Sequence, residues 1–428
     1  MALVETLRYL RDPYGIYSAY LEKYGDPFTL PGAGGPMVVT GTPEGVRTIL
    51  SAPPERYAAF GADLLAPVLG EYSMMLLSGE AHRASRRLLA PPFHSARMRV
   101  YGRVMQDCAR QQIEPWLTRQ PFPLFPVAQA ISLAVMVRAV FGVTEPERVQ
   151  AYERALIDVL EAVNPSFLFI AALRRNFGGL GPWARFVRRR AHIEGLLLDE
   201  FASRRREQEP REDILSLLLS ARYEDGQPMS DTDTIGQLMT LLAAGHETTA
   251  ISLSWALYLL HCHEQVLERL RDELRTLPDD AEPEAVARLP LLEAVCHETL
   301  RLHPITPIIA RVLVEPLELM GYQIPAGAAV GASILLVHRR ADLYPEPEQF
   351  QPDRFLTRSY SPFEFLPFGG GARRCIGAAF ALYEMKLVLA TLLRSYRFSL
   401  ETTVDPGHAV RNTTVGPRRA ILMRAEPL

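Results

Sequence analysis

Residues 231–260 are the longest helix candidate, and they stay apolar nearly all round as far as W-A-L-Y-L-L. Ser230 or Asp231 can cap the start, in S-D-T-D-T-I-G-Q. At 1.5 Å per residue, a helix of this length spans roughly 45 Å. A helix apolar on every side is either a membrane span or the buried rod of a large domain. Gln237, His246, Glu247, Thr248, Thr249, Ser252 and Ser254 argue for the rod. Its middle, L-L-A-A-G-H-E-T-T-A, contains a defect. Gly245 costs a helix about 1 kcal/mol relative to Ala, and Thr248 and Thr249 can bond back to preceding carbonyls. The run begins like the zinc motif H-E-x-x-H, but its fifth position is Ala250, so a ligand is missing. Two readings stay open here: a satisfied buried polar patch, or a groove where a ligand lies close to backbone and hydroxyl.

The rest of the chain supports a large helical body. It has 428 residues and a net charge of −3, which excludes nucleic-acid binding by bulk electrostatics. No low-complexity tract or repeat divides it, so a single domain over 1–428 is expected. The start, M-A-L-V-E-T-L-R-Y-L-R-D-P-Y-G, has neither a signal h-region nor a membrane anchor, and a cytoplasmic protein is expected. Cys108, Cys262, Cys296 and Cys375 are far apart without C-x-x-C, which suggests neither a disulfide scaffold nor a zinc ribbon. Short strand patches fall at 27–40, 311–333 and near the C-terminus. Helical periodicity marks 148–163, 188–209, 211–221, 263–277 and 291–303.

The second informative stretch is F-L-P-F-G-G-G-A-R-R-C-I-G, ending at Gly377. Gly369 to Gly371 let a backbone come very close to something flat or bulky. Cys375 follows two arginines and precedes a strong helix pattern, and both dipole and guanidinium favour thiolate there. A lone thiolate of this kind suits a metal whose other ligands are not protein, and haem iron is the obvious candidate. Glu298 and Arg301 stand at i, i+3 on one helix face. With Arg354 of F-Q-P-D-R-F they could form a structural cluster bracing the cysteine loop.

The order A-G-x-E-T-T at 244–249, E-x-x-R at 298–301, P-D-R-F at 352–355 and F-x-x-G-x-R-x-C-x-G at 368–377 closely resembles the cytochromes P450, the haem-thiolate monooxygenases. The similarity runs from D-P-Y-G-I-Y-S-A-Y-L-E-K-Y-G-D-P-F to the final strands. The resemblance implies a mainly α fold with small β-sheets, β-rich where the N-terminal part joins the C-terminal sheet. A long central helix would lie over the haem, with a cysteine loop beneath it. It implies haem b with an axial thiolate from Cys375. Phe368 would sit beside the sulfur, Gly371 and Gly377 would allow close approach to the porphyrin, and Arg373, Arg311, His82 and Arg86 would serve the propionates. Glu247 and Thr248 resemble the acid–alcohol pair that relays protons and holds water and O₂, with room left by Ala244 and Gly245. His246 receives no catalytic role.

Substrate contacts are expected from 57–76, from a mobile lid at 163–183, from Thr306, Ile308 and Ile309 facing the haem, and from a turn at 410–416. These segments are mostly apolar, which implies a hydrophobic substrate such as a fatty acid, terpene, steroid or polyketide. With no flavin or iron–sulfur segment attached, electrons would come from a ferredoxin or flavodoxin with its NAD(P)H-dependent reductase. Six arginines and no acid within 81–106 (Arg83, Arg86, Arg87, Arg97, Arg99 and Arg103) would form the docking face. A monomer without a membrane anchor is expected. Competing readings are a peroxide-driven or rearranging haem enzyme and a haem sensor. The intact Glu247–Thr248 pair favours the O₂ route.

Overall fold

The computed structural model describes residues 2–32, 35–93, 95–118, 120–164, 167, 168, 170–176, 178–206, 211, 213–411 and 413–428. These are mainly helical, with four small sheets among them. They form two compact units. The first comprises Met1–Phe60, Met105–Ile131 and Glu247–Leu428; the second comprises Gly61–Val104 and Ser132–His246. The central helix, Asp231–Cys262, is divided between them. Its N-cap is Ser230, whose Oγ accepts the Asp233 N–H at 3.1 Å.

The strands belong to the first unit. The patches at 27–40 become β1 (Phe28–Gly32) and β2 (Gly35–Thr40). β3 (Tyr57–Ala59) was not signalled by the sequence pattern, because three residues are too few for alternation to register. β4 (Phe122–Pro123) is shorter still. The stretch 311–333 becomes β5 (Ile308–Leu313), β6 (Leu317–Leu319), β7 (Tyr322–Ile324) and β8 (Ala329–Ser333). The largest sheet has the order β1–β2–β8–β5–β3, parallel only between β2 and β8. One of its faces buries Val46, Ile49, Leu50, Ile309, Leu313, Val330 and Leu366. The C-terminal strands are β9 (Tyr396–Leu400), the hairpin β10 (His408–Arg411) and β11 (Thr414–Pro417), and β12 (Leu422–Pro427).

The buried polar centre of this unit is Glu298–Arg301–Arg354. Glu298 and Arg301 lie on helix Pro290–Leu302 and are both 0% exposed. Arg301 donates from Nε and Nη2 to Glu298 at 2.6 and 2.8 Å, and to the carbonyls of His338, Pro347 and Gln349 at 2.8, 2.7 and 3.1 Å. Glu298 also accepts the Gln351 N–H at 2.9 Å and Arg354 Nε at 3.1 Å. Arg354 in turn holds the Pro345 and Glu346 carbonyls. The expected brace exists, and what it grips is the backbone of 345–351, a stretch with no ladder of its own.

A second device is a column of rings. Trp255 of the central helix stacks on His303 at 3.8 Å, and His303 Nδ1 lies 2.9 Å from His408 Nε2. His408 lies on Tyr14 at 4.0 Å, whose hydroxyl donates to the Pro304 carbonyl at 2.7 Å. The column joins the N-terminus, the central helix, the Glu298 helix and the β10–β11 hairpin.

In the second unit the expected helices appear as Pro146–Ala162, Gly181–Arg204 and Ile214–Ser220; 207–209 of the predicted 188–209 helix lie outside the described residues. Arg204 closes this unit, donating to Glu200, Asp213 and Ser216 and to the Phe141 and Gly142 carbonyls.

Truncating Glu298 to Ala leaves two buried guanidiniums without their anion, and should cost about 3–5 kcal/mol in a urea titration; a loss below about 1 kcal/mol contradicts the brace. Acid should also destabilise the fold. Burial, then the Arg301 charge, pushes His338 down to about 3, and burial, then Arg339, pushes His408 down to about 4. Both stay neutral in the fold, while the unfolded chain protonates them below about pH 6.5. Unfolding free energy should therefore fall by about 1.4 kcal/mol per pH unit for each histidine as pH drops from 6.5 towards 4. A flat profile between pH 7 and pH 5 contradicts this.

Candidate cofactor site

The glycine loop is built from the inside outwards. His338 Nε2 accepts the Leu366 N–H at 3.1 Å, and Leu366 is buried in the sheet core. The chain then turns back on itself: Gly369 N–H donates to the Leu366 carbonyl and Cys375 N–H to the Phe368 carbonyl, both at 2.9 Å. Gly371 has φ +64°, and a Cβ there would stand 2.1 Å from the Leu50 carbonyl oxygen. The protein itself therefore demands that glycine, whatever approaches from outside. Gly377 differs. Nothing lies within 4 Å of its Cβ position, and it caps the helix Ala378–Ser395. Phe368 is half-buried. Cys375 is exposed, two residues before the helix cap, where unpaired N–H groups and the dipole favour an anion.

Two cations accompany the thiol. On β5, side chains alternate, so Ile309, Arg311 and Leu313 share the face that packs into the core. The Ile309 Cδ1 lies 3.4 Å from a Cβ placed on Gly369, so that face looks towards the glycine loop. Burial, then the positive charge of Arg373, lowers Arg311 to about 10; burial also lowers Arg373. Arg311 donates to the carbonyl of its own neighbour Ala310 at 2.8 Å, and among the described residues no carboxylate pairs with it. Two repelling, partly desolvated guanidiniums beside an exposed thiol are what a dianionic group with a thiolate-binding metal would complete. The residues present fit a haem. By contrast, no group of three or more His, Cys, Asp or Glu that could hold a metal ion occurs among the described residues.

The same alternation corrects one expectation. Ile308 and Ile309 point to opposite faces of β5. Ile308 packs towards the cluster of Tyr14, Phe28 and Leu335, so the two cannot line one wall. Thr306, just before the strand, is exposed.

On the central helix, Glu247 and Thr248 are half-buried, whereas Thr249 to Leu257 are buried throughout. Earlier on the same helix, in the second unit, Ala244 is exposed and Gly245 is half-buried against Met136, whose Sδ would lie 3.1 Å from a Cβ there. Glu247 and Thr248, both half-buried, thus stand just ahead of the fully buried run. His246 differs. It is buried, its Nδ1 bonds the Leu242 carbonyl at 2.9 Å, and burial lowers its pKa.

Also in the second unit, His82 is buried and Arg86 half-buried, one turn apart on helix Gly79–Leu89. The arginines around them are not a free basic patch: Arg83 and Arg87 pair with Glu80, and Arg87 also pairs with Glu224. The side chain of Arg97 lies outside the described residues. In the expected lid, where 165, 166, 169 and 177 lie outside the described residues, Arg174 clasps the Phe167 and Leu168 carbonyls at 2.8 Å, and Phe167 packs on Trp183 and Phe186.

The comparisons agree with this architecture. Residues 4–424 match the cytochrome P450 family model. Two proteins of Mycobacterium tuberculosis, carrying the names cytochrome P450 135B1 and cytochrome P450 137, are 36% and 33% identical to the chain. The first match covers 98% of this chain and 89% of that protein; the second covers 95% and 84%. A structure of retinoic acid-bound cyanobacterial CYP120A1 superposes with a TM-score of 0.86 at 26% identity, covering 99% of this chain and 96% of that one. The haem domain of cytochrome P450DA, at 24% identity, has the same fold with a TM-score of 0.85, covering 97% and 92%. The chain belongs to the cytochrome P450 family, whose members are monooxygenases that carry a haem on a cysteine thiolate.

Proposed function

We propose that Cys375 is that thiolate and that the chain uses haem b to insert one oxygen atom of O₂ into a C–H or C=C bond of a hydrophobic substrate. The observation that carries this is the exposed thiol at a helix start beside the cations Arg311 and Arg373, of which Arg311 pairs with no acid among the described residues. The bound haem supplies the oxidising power; the chain holds it, orients it and governs protons. Arg311 and Arg373 receive propionate charge, and His82 and Arg86 join them on the strength of the family motif. Gly377 leaves the space beside the sulfur open.

Thr248 and Glu247 form the proton path. The half-buried Thr248 hydroxyl holds a water by donating to it or accepting from it, and Glu247 exchanges protons with bulk solvent. Ser252 Oγ donates to the Thr248 carbonyl at 2.9 Å and fixes that turn of helix. The small side chain of Ala244 leaves room for O₂ and substrate. Electrons come from a separate ferredoxin or flavodoxin with its NAD(P)H-dependent reductase. A similar cyanobacterial protein binds retinoic acid, a largely apolar molecule, which supports a hydrophobic substrate here.

The test is aerobic turnover with reductase, ferredoxin and an accepted apolar substrate. Thr248→Ala should lower product per reductant consumed by roughly 10²-fold, within the range of a lost proton-transfer group, while reductant consumption continues. Unchanged coupling contradicts the role given to Thr248. Equal product formation without O₂ contradicts the monooxygenase reading.

A further inference from the structure

Among the described residues Arg411 is a cation without a counter-ion. A guanidinium has five N–H donors, yet among the described residues Arg411 makes one long bond, from Nη2 to the Pro417 carbonyl at 3.4 Å. Its Nε is buried with no hydrogen-bond partner, and among the described residues no carboxylate pairs with it. It lies over the Phe125 ring, 4.5 Å from the centroid, which offsets only part of the desolvation. The Thr414 hydroxyl donates to the Arg411 carbonyl at 2.8 Å and closes the hairpin, so the residue is held by its backbone rather than by its charge.

Its position is informative. A Cβ on Gly416 would stand 3.1 Å from Arg411 Cδ and 3.2 Å from Ile251 Cδ1. The absent side chain lets the arginine stem lie across the hairpin beside Ile251. Ile251 is at i+3 from Thr248 and i+4 from Glu247, one turn along the same helix surface. The unpaired cation is thus fixed by apolar and aromatic neighbours one helical turn from the proposed proton path.

We propose that Arg411 receives the carboxylate of the substrate, so that the chain selects apolar carboxylic acids over neutral molecules of the same shape. This rests on the haem monooxygenase reading. One planar fork matches one carboxylate in two parallel hydrogen bonds; a phosphate dianion would call for more cations than this one. Phe125 contacts the apolar body next to the head group, while fully buried Ile251 backs the arginine stem. The bond is formed in the ground state as well as during oxidation, so it acts on binding and on which carbon is presented.

The test is titration of the ferric holoenzyme with straight-chain acids of graded length, their methyl esters and the matching primary alcohols, following the Soret shift. In the wild type an acid should bind at least ~10-fold tighter than its ester, the scale of a charge-assisted hydrogen bond. Arg411→Gln should abolish that ratio while ester affinity and haem content stay within twofold of wild type; Arg411→Lys should keep part of it. Equal binding of acid and ester in the wild type, no shift with any acid, or an unchanged ratio in Arg411→Gln each overturn the proposal. Equal loss for acid and ester makes Arg411 structural, and loss of haem makes it a cofactor residue; both also overturn it. Intact haem with O₂-dependent reductant consumption in the same preparation leaves the monooxygenase reading standing when the Arg411 arm fails.

Discussion

Everything around the cysteine depends on one buried guanidinium. Arg301 uses all five of its donors, two on Glu298 and three on the carbonyls of His338, Pro347 and Gln349. These carbonyls lie where no strand or helix would otherwise satisfy them. The tie to His338 has a further consequence, because the same residue's Nε2 accepts the N–H of Leu366, where the glycine loop begins. A salt bridge in the core thus positions a thiol nine residues beyond Leu366, through hydrogen bonds that tolerate little displacement.

Charge is distributed with the same economy. Carboxylates serve the buried cations that hold the fold: Glu298 for Arg301 and Arg354, Glu200 and Asp213 for Arg204. Arg311 and Arg411 have none among the described residues, and both stand in the first unit, one beside the cysteine loop and one beside the central helix. A partly desolvated cation without an anion is unstable on its own account. In the proposed roles an anionic guest restores the balance at both: a cofactor carboxylate at the first, a substrate carboxylate at the second.

The long helix, its serine cap, the Glu–Arg–Arg brace and the cysteine at a helix start were legible in the sequence, because each leaves a local mark: all-round apolarity, a capping residue, i,i+3 spacing, a run of glycines. The strands β3 and β4, of three and two residues, were not, since pairing partners rather than pattern make them strands. A demand that the fold itself makes on Gly371 was hidden for a similar reason. Its constraint comes from the Leu50 carbonyl, more than three hundred residues away in the chain. Ile308 and Ile309 were grouped as one wall until the strand separated them by its alternation. The turn at 410–416 was expected to reach substrate, but nothing in the sequence singled out Arg411 within it: an arginine in a hairpin becomes informative only when its described neighbours are seen to lack an acid.

The central claim is that the Cys375 sulfur is the axial ligand of a haem held by this chain. The direct measurement is the absorption spectrum of the reduced protein under carbon monoxide, for wild type and Cys375→Ser. The wild type should show the red-shifted Soret maximum that a thiolate trans to carbon monoxide imposes, and the variant should lose it. A wild-type maximum at the position typical of a histidine-ligated haem, or an unaltered spectrum in the variant, contradicts the account.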